Sequence, residues 1–194
     1  TGGTPIHLSE ETGEVIYFRT VSDYQKLRDL ANTKDSFLII GGGYIGSEVA
    51  AALRMQGKQV SMVFPEDGIA ARLLPAAMSS FINDYYESKG VHVHAGYLAE
   101  KIEKFGNKLV VETNRDLVLE ADVVVAGLGI RPNTQLAESA GLKVENGILV
   151  DETLATSAPN IYAAGDVARF YSSALRQTLR TEHEEHANMS GQLA

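Results

Sequence analysis

Leu38-Ile39-Ile40 runs directly into Gly41-Gly42-Gly43-Tyr44-Ile45-Gly46, and an alanine-rich stretch from Val49 to Met55 follows. Three apolar residues, glycines spaced Gly41-x-Gly43-x-x-Gly46 and a helix-forming run predict strand, tight turn and helix. A short unbroken apolar run is the mark of a strand buried on both faces. Gly41 permits the turn, Gly43 lets a phosphate approach the backbone, and Gly46 lets the helix pack close to the strand. The first helical N–H groups of Tyr44, Ile45 and Gly46 then point at the ligand, and the helix dipole favours its charge. A glycine-rich turn without a ligand is the competing reading. The flanks weigh against it: a second strand, Gln59–Phe64, follows the helix, and Gly57 stands where a helix C-terminal cap belongs. The βαβ unit is complete in about 30 residues, and Gly41, Gly42, Gly43, Tyr44, Ile45 and Gly46 become candidate cofactor-binding residues.

The rest of the chain extends this unit into an α/β fold. Residues 6–20 read as irregular, with Val15–Phe18 as a short strand. Val21–Ala31 reads as a helix with Ser22 as N-cap and Tyr24, Leu27, Leu30 and Ala31 on its apolar face. Pro65-Glu66-Asp67-Gly68 is a turn by composition. Residues 76–89 read as a helix ended by Gly90, with Met78, Phe81, Ile82 and Tyr85 at helical spacing. Val91–Ala95 fits a strand. Leu98–Phe105, Lys108–Thr113 and Leu117–Leu119 read as an antiparallel meander with Gly106-Asn107 as one turn. Asp122–Ala126 reads as another buried strand, ended by the segment Gly127–Asn133. Residues 134–140 read as a short helix stopped by Gly141. Ile148–Val150 and Ile161–Ala163 read as short strands, and residues 166–194 as partly helical.

Composition removes several classes of function. The chain has 194 residues and a net charge of −8, which argues against a general nucleic-acid surface. With no cysteine it can hold neither a disulfide framework nor a thiol nucleophile. No apolar run approaches the length of a membrane helix, and the N-terminus does not read as a signal peptide.

Five further places carry candidate chemistry. A dinucleotide site of this kind places an acid near the end of its second strand to hold the ribose hydroxyls. That strand ends here at Phe64, so the nearest acid is Glu66, either ribose ligand or solvated turn residue. Arg72 is either a partner for adenine or a 2′-phosphate, or a surface arginine. With no arginine pair at the strand end, NAD(H) is favoured over NADP(H). Glu48 is placed in the first turn of the glycine-loop helix, where an acid is also favoured simply by the dipole. Gly165-Asp166 follows a short apolar stretch, so a glycine and then a carboxylate meet either a ligand or a strand-ending turn. In Glu182-His183-Glu184-Glu185-His186 the histidines stand three apart and would share a helix face. Helical zinc sites use four-residue spacing, so no metal site is expected.

Taken in order, these pieces resemble the FAD-dependent pyridine nucleotide-disulfide oxidoreductases, most closely the apoptosis-inducing-factor and ferredoxin/rubredoxin-reductase branch. The matching segments are Thr1–Pro5, Gly41–Glu48, Phe64–Gly68 through Leu73-Leu74-Pro75, Gly127–Asn133, Ala163–Ala168 and Arg180–His183. The resemblance covers essentially the whole chain. It implies that hydride passes from NADH to FAD and electrons pass on to an iron–sulfur protein or another acceptor. It implies that Glu48 orients the nicotinamide side, that Glu182 and His183 lie near the nicotinamide–flavin contact, and that these three are the catalytic candidates. It further implies that Tyr44 sits near the flavin face, that Glu66 and Arg72 hold adenosine, and that Gly129, Gly165 and Asp166 bind cofactor, Asp166 toward the FAD ribitol or pyrophosphate.

The fold expected from this is a Rossmann-like NAD(P)-binding domain with a central parallel sheet and an antiparallel β-meander, flanked by pieces of an FAD-binding domain. Residues 1–20 are expected to end a first FAD segment, 21–150 to bind NAD(P), and 151–194 to return to the FAD domain. The resembled family begins with a further glycine motif for FAD and ends with a C-terminal domain of roughly 100 residues. The chain is therefore expected to be an internal piece that needs those segments as partners and holds FAD weakly alone. The alternative function is a non-catalytic NAD-sensing or interaction domain. The expected compartment is cytoplasmic, with a mitochondrial one implied as the alternative by the resemblance.

Overall fold

The computed structural model describes residues 2–12 and 14–194. Thr1, the first residue of the N-terminal motif, lies outside the described residues. In chain order the elements are β1 (Gly3–Pro5), β2 (Glu10–Glu11), β3 (Val15–Tyr17), α1 (Val21–Ala31), β4 (Ser36–Ile40), α2 (Tyr44–Met55) and β5 (Gln59–Phe64). Next come α3 (Ala76–Ser88), β6 (Val91–Ala95), β7 (Ala99–Phe105), β8 (Lys108–Thr113), β9 (Val118–Ala121) and β10 (Val123–Ala126). The chain ends with β11 (Ile130–Pro132), α4 (Gln135–Ser139), β12 (Ile148–Leu149), β13 (Ala168–Ser172), β14 (Gln177–Arg180) and α5 (Glu184–Leu193).

Two compact units form: Pro5–Gly129, and Thr1–Thr4 with Ile130–Ala194. These packing boundaries fall elsewhere than the cofactor-based division at 20/21 and 150/151: β2 and β3 pair with strands of the first unit, and β12 pairs with β13 in the second.

The centre of the Pro5–Gly129 unit is a five-stranded sheet in the order β3-β10-β4-β5-β6, with every pairing parallel. A second sheet in the order β2-β7-β8-β9 is the expected meander with β2 added in parallel to β7. Strand residues alternate between two cores, as a pleated strand requires. Phe37 and Ile39 of β4, Val123 and Val125 of β10, and Val60, Met62 and Phe64 of β5 face the helical layer with Leu27, Val49, Ala50 and Leu53. Leu38, Ile40, Val124, Ala126 and Val63 face the meander with Ile102, Leu109 and Val111. Burial on both faces is why these strands read as unbroken apolar runs.

Several local expectations need correction. The N-cap of α1 is Thr20, not Ser22: Thr20 Oγ1 accepts from the Asp23 N–H at 3.2 Å, and Asp23 accepts from the Thr20 N–H at 2.7 Å. This reciprocal capping box holds two N–H groups where a lone serine would hold one. β3 is the short strand expected at Val15–Phe18, and β2 is a strand that was not expected; each finds a sheet edge. In α3, Met78, Phe81 and Tyr85 are exposed, and the inward residues are Ser79, Ile82, Asn83 and Tyr86.

In the Ile130–Ala194 unit, residues 166–194 are partly helical, as expected, and the rest of the segment adds strands. β13 and β14 form an antiparallel hairpin, with β12 parallel to β13, and helix is confined to α5. Ile161–Ala163 contributes a single bridge, Ala155 to Tyr162, rather than a strand. Gly165–Val167 is a turn of 3₁₀ helix.

Candidate functional site

Strand order reverses between β4 and β10. From β4 the chain moves outward to β5 and β6, while β10 and β3 lie on the other side. In open α/β sheets such a switch point opens a crevice beyond the carboxyl ends of the strands. Both glycine segments sit there: Gly41 follows β4 and Gly127 follows β10. The Gly127 N–H bonds the Ile40 carbonyl at 2.8 Å. Gly41 has φ +117°, and a Cβ on it would lie 2.5 Å from the Gly127 carbonyl oxygen. Only glycine fits this conformation and this approach.

The other three glycines of the loop differ in what surrounds them. Gly46 packs over the carbonyl of Gly41, so a Cβ there would collide with backbone. Gly42 lies over the Phe64 ring, 2.8 Å from an added Cβ. Gly43 faces open space, with nothing within 4 Å of an added Cβ. Gly43 is also the N-cap of α2, and no side chain caps that helix. An uncapped helix start beside a bare glycine is a cradle for an anion, and its leading N–H groups lack helical partners. Tyr44 and Ile45 are exposed above it. Glu48 is also exposed and falls beyond the first turn of α2, not within it, because the helix begins at Tyr44.

The turn after β5 holds Glu66 and Arg72 against each other, Arg72 Nη2 lying 2.5 Å from Glu66 Oε1. The glutamate is the more buried partner and the arginine is largely exposed. The two residues proposed for the adenosine end are therefore one ion pair, a relationship their spacing did not disclose. Gly129, in the segment after β10, has φ +85° and accepts a hydrogen bond at its carbonyl from the Ile6 N–H at 3.0 Å.

The remaining candidates belong to the Ile130–Ala194 unit. Gly165 is buried with φ +72°, and its N–H donates to Ser190 Oγ at 2.9 Å, fixing the 3₁₀ turn against α5. The Asp166 carbonyl accepts from Arg180 Nη1 at 2.9 Å, and Arg180 Nη2 pairs with Glu182 at 2.6 Å. Arg180, which residue spacing did not single out for binding, thus ties the Asp166 backbone to the Glu182 carboxylate. His183 is the N-cap of α5, its Nδ1 accepting from the Glu185 N–H at 3.2 Å. It does not share a helix face with His186, whose ring instead stacks on Phe170 at 5.0 Å. No group of three or more metal-ligating side chains occurs among the described residues, and none of their helices is long and apolar enough to cross a membrane.

Comparison with known proteins agrees with this geometry. Monodehydroascorbate reductase of Solanum lycopersicum is 34% identical over the whole chain. A crystal structure of the ferredoxin reductase for the CYP199A2 system of Rhodopseudomonas palustris superposes with TM-score 0.92 at 32% identity over the full chain. A water-forming NADH oxidase from Lactobacillus brevis, bound to NADH, superposes with TM-score 0.92 at 25% identity over 99% of the chain. The chain spans about half the length of these proteins: 47%, 50% and 43% respectively. The family model for pyridine nucleotide-disulphide oxidoreductases matches residues 1–191. With the glycine cradle at the switch point, the parallel sheet and the meander all in place, the chain belongs to the pyridine nucleotide-disulphide oxidoreductase family.

Proposed function

We propose that the chain is the NAD(H)-binding part of a flavoprotein oxidoreductase that passes hydride from NADH to FAD and electrons onward to a protein or small acceptor. The observation that carries the reading is the open cradle at Gly43, where an uncapped helix start meets a glycine with free space above it. The pyrophosphate is held there by backbone N–H groups of α2. Glu66 accepts hydrogen bonds from the adenosine ribose, and its pairing with Arg72 orients that carboxylate. Because Arg72 is already neutralised by Glu66, it is a weak anchor for a 2′-phosphate, which favours NADH over NADPH. Tyr44 and Glu48 flank the nicotinamide end, while Gly129, Gly165, Asp166, Glu182 and His183 serve the flavin side. On this reading residues 21–150 serve NAD(H) and the flanking segments serve FAD. Bound FAD supplies the redox chemistry, and the chain supplies binding and orientation.

The relatives are named as reductases and an oxidase, which favours the enzyme over the non-catalytic sensor. By its name the R. palustris relative reduces a ferredoxin, which supports an iron–sulfur protein as one class of acceptor. Fluorescence titration of this chain with NADH and NADPH in parallel tests the site. Saturable NADH binding with much weaker NADPH binding is expected, and absence of binding by both overturns the reading.

A further inference from the structure

We infer that Asn83, on a helix outside the cradle, is a positioning residue for recognition of the adenosine end, acting by holding the turn that carries Glu66 and Arg72. The inference rests on the proposed role of Glu66. The turn between β5 and α3 has no regular structure to stabilise it. Asn83 brackets it with both ends of its amide: Oδ1 accepts from the Ile69 N–H at 2.9 Å, and Nδ2 donates to the Asp67 carbonyl at 3.2 Å. Ile69 is 1% exposed, so its N–H has no access to solvent and depends on that acceptor.

Other contacts join the same turn to the cradle and the sheet. The Ala70 N–H donates to the Gly42 carbonyl at 2.7 Å, linking turn and glycine loop directly. The Glu66 carbonyl accepts from the Gly96 N–H at 2.9 Å. Ala70 sits at φ +57°, a left-handed conformation that a non-glycine residue keeps only when its surroundings impose it. Gly68 packs on α3 so closely that a Cβ would lie 2.8 Å from Ser79 Cβ. The inward face of α3 therefore carries Ser79 and Asn83 where an ordinary amphipathic helix would carry apolar residues. Loss of the Asn83 bracket frees the segment between Glu66 and Arg72, so the carboxylate is no longer held at the end of β5.

The test is a double-mutant cycle in this chain with Asn83→Leu and Glu66→Gln, read by NADH and NADPH affinity after circular dichroism has established folding. Asn83→Asp, which keeps the volume but loses the donor to Asp67, serves if Asn83→Leu does not fold. An Asn83 variant is expected to weaken NADH binding about tenfold, the scale of one lost ribose hydrogen bond, and to narrow the gap between NADH and NADPH. With Glu66→Gln already present, the same substitution is expected to have little further effect. A folded Asn83 variant with unchanged NADH affinity, or with fully additive loss, overturns the positioning role while leaving Glu66 as the ribose ligand. Wild-type chain that binds no NADH, or a Glu66→Gln variant that binds it normally, overturns the reading of Glu66 and the inference with it.

Discussion

Gly46 lies directly over the carbonyl oxygen of Gly41, so that the start of α2 meets the backbone of the residue that follows β4. Gly43, between them, touches nothing within 4 Å of where a Cβ would stand. One motif thus contains two kinds of glycine, and substitution separates them. Gly46→Ala forces backbone apart and is expected to cost about 2–4 kcal/mol of stability. Gly43→Ala meets no clash and is expected to cost only about 0.5–1 kcal/mol, because alanine is a poorer N-cap residue than glycine. It is nevertheless expected to weaken NADH binding by about tenfold or more, because the methyl occupies the space of the phosphate. Thermal melts and NADH titration of both variants decide this. A Gly43→Ala chain that binds NADH like wild type removes the cradle as the pyrophosphate site.

The Glu66–Arg72 pair predicts a shift in cofactor choice. Arg72→Ala removes the exposed cation and leaves the Glu66 carboxylate to repel a 2′-phosphate. The ratio of NADPH to NADH dissociation constants is expected to rise roughly three- to tenfold, with modest change for NADH itself. A rise in NADPH affinity would show that Arg72 had not been contributing to phosphate binding.

Asp122 fastens the amino ends of β4 and β10. Its Oδ2 accepts from the Ser36 N–H at 2.9 Å and the Ser36 hydroxyl at 2.8 Å, and its Oδ1 pairs with Lys108 at 2.9 Å. Partial burial opposes the charge, yet the bonds from Lys108 and Ser36 hold the carboxyl well below the usual carboxylate range. Asp122→Ala strands the Ser36 N–H and is expected to cost about 2 kcal/mol. Because the folded pKa is depressed, the native state binds fewer protons than the unfolded chain in acid. The contribution is complete above about pH 4 and lost as pH falls toward the folded value. Urea denaturation at pH 7 and pH 3 should show a large gap between wild type and variant at pH 7 and a smaller one at pH 3. An equal gap at both would remove the charge from the account.

His94 acts at milder acidity. Its imidazole pKa is pushed down by burial, with the nearby His92 adding to the effect and Glu87 opposing it. The unfolded chain therefore takes up a proton near pH 6.5 while the native state resists it, so stability falls as pH drops below about 6.5. In His94→Gln this dependence is expected to flatten. Urea midpoints of both proteins at pH 7.5 and pH 5.5 provide the check, and parallel losses in the two would place the sensitive group elsewhere.

The alternation of turn signals and apolar runs located nearly every strand and helix of the Pro5–Gly129 unit. Phe37–Ile40 and Val123–Ala126 were legible because strands buried on both faces contain little but apolar residues. The motif glycines were legible because their spacing answers a backbone requirement. Other features stayed hidden. Residues 168–180 are polar and only partly buried, so their hairpin left no clear alternation. Thr20 and Ser22 are both acceptable caps, and the reciprocal bond with Asp23 decided between them. On α3 the residues with the strongest hydrophobic spacing, Met78, Phe81 and Tyr85, face outward, while Asn83 faces in.

Sequence alone determined the βαβ unit, the glycine cradle and the family, because each rests on local backbone geometry and on residue types at short fixed spacings. Tertiary structure decided what those residues touch. It set Gly41 against Gly127, Glu66 against Arg72, and Asn83 against the turn between Asp67 and Ile69. Such contacts depend on how strands are ordered in a sheet and which face a helix turns inward, and those are settled by packing of the whole core rather than by any one segment.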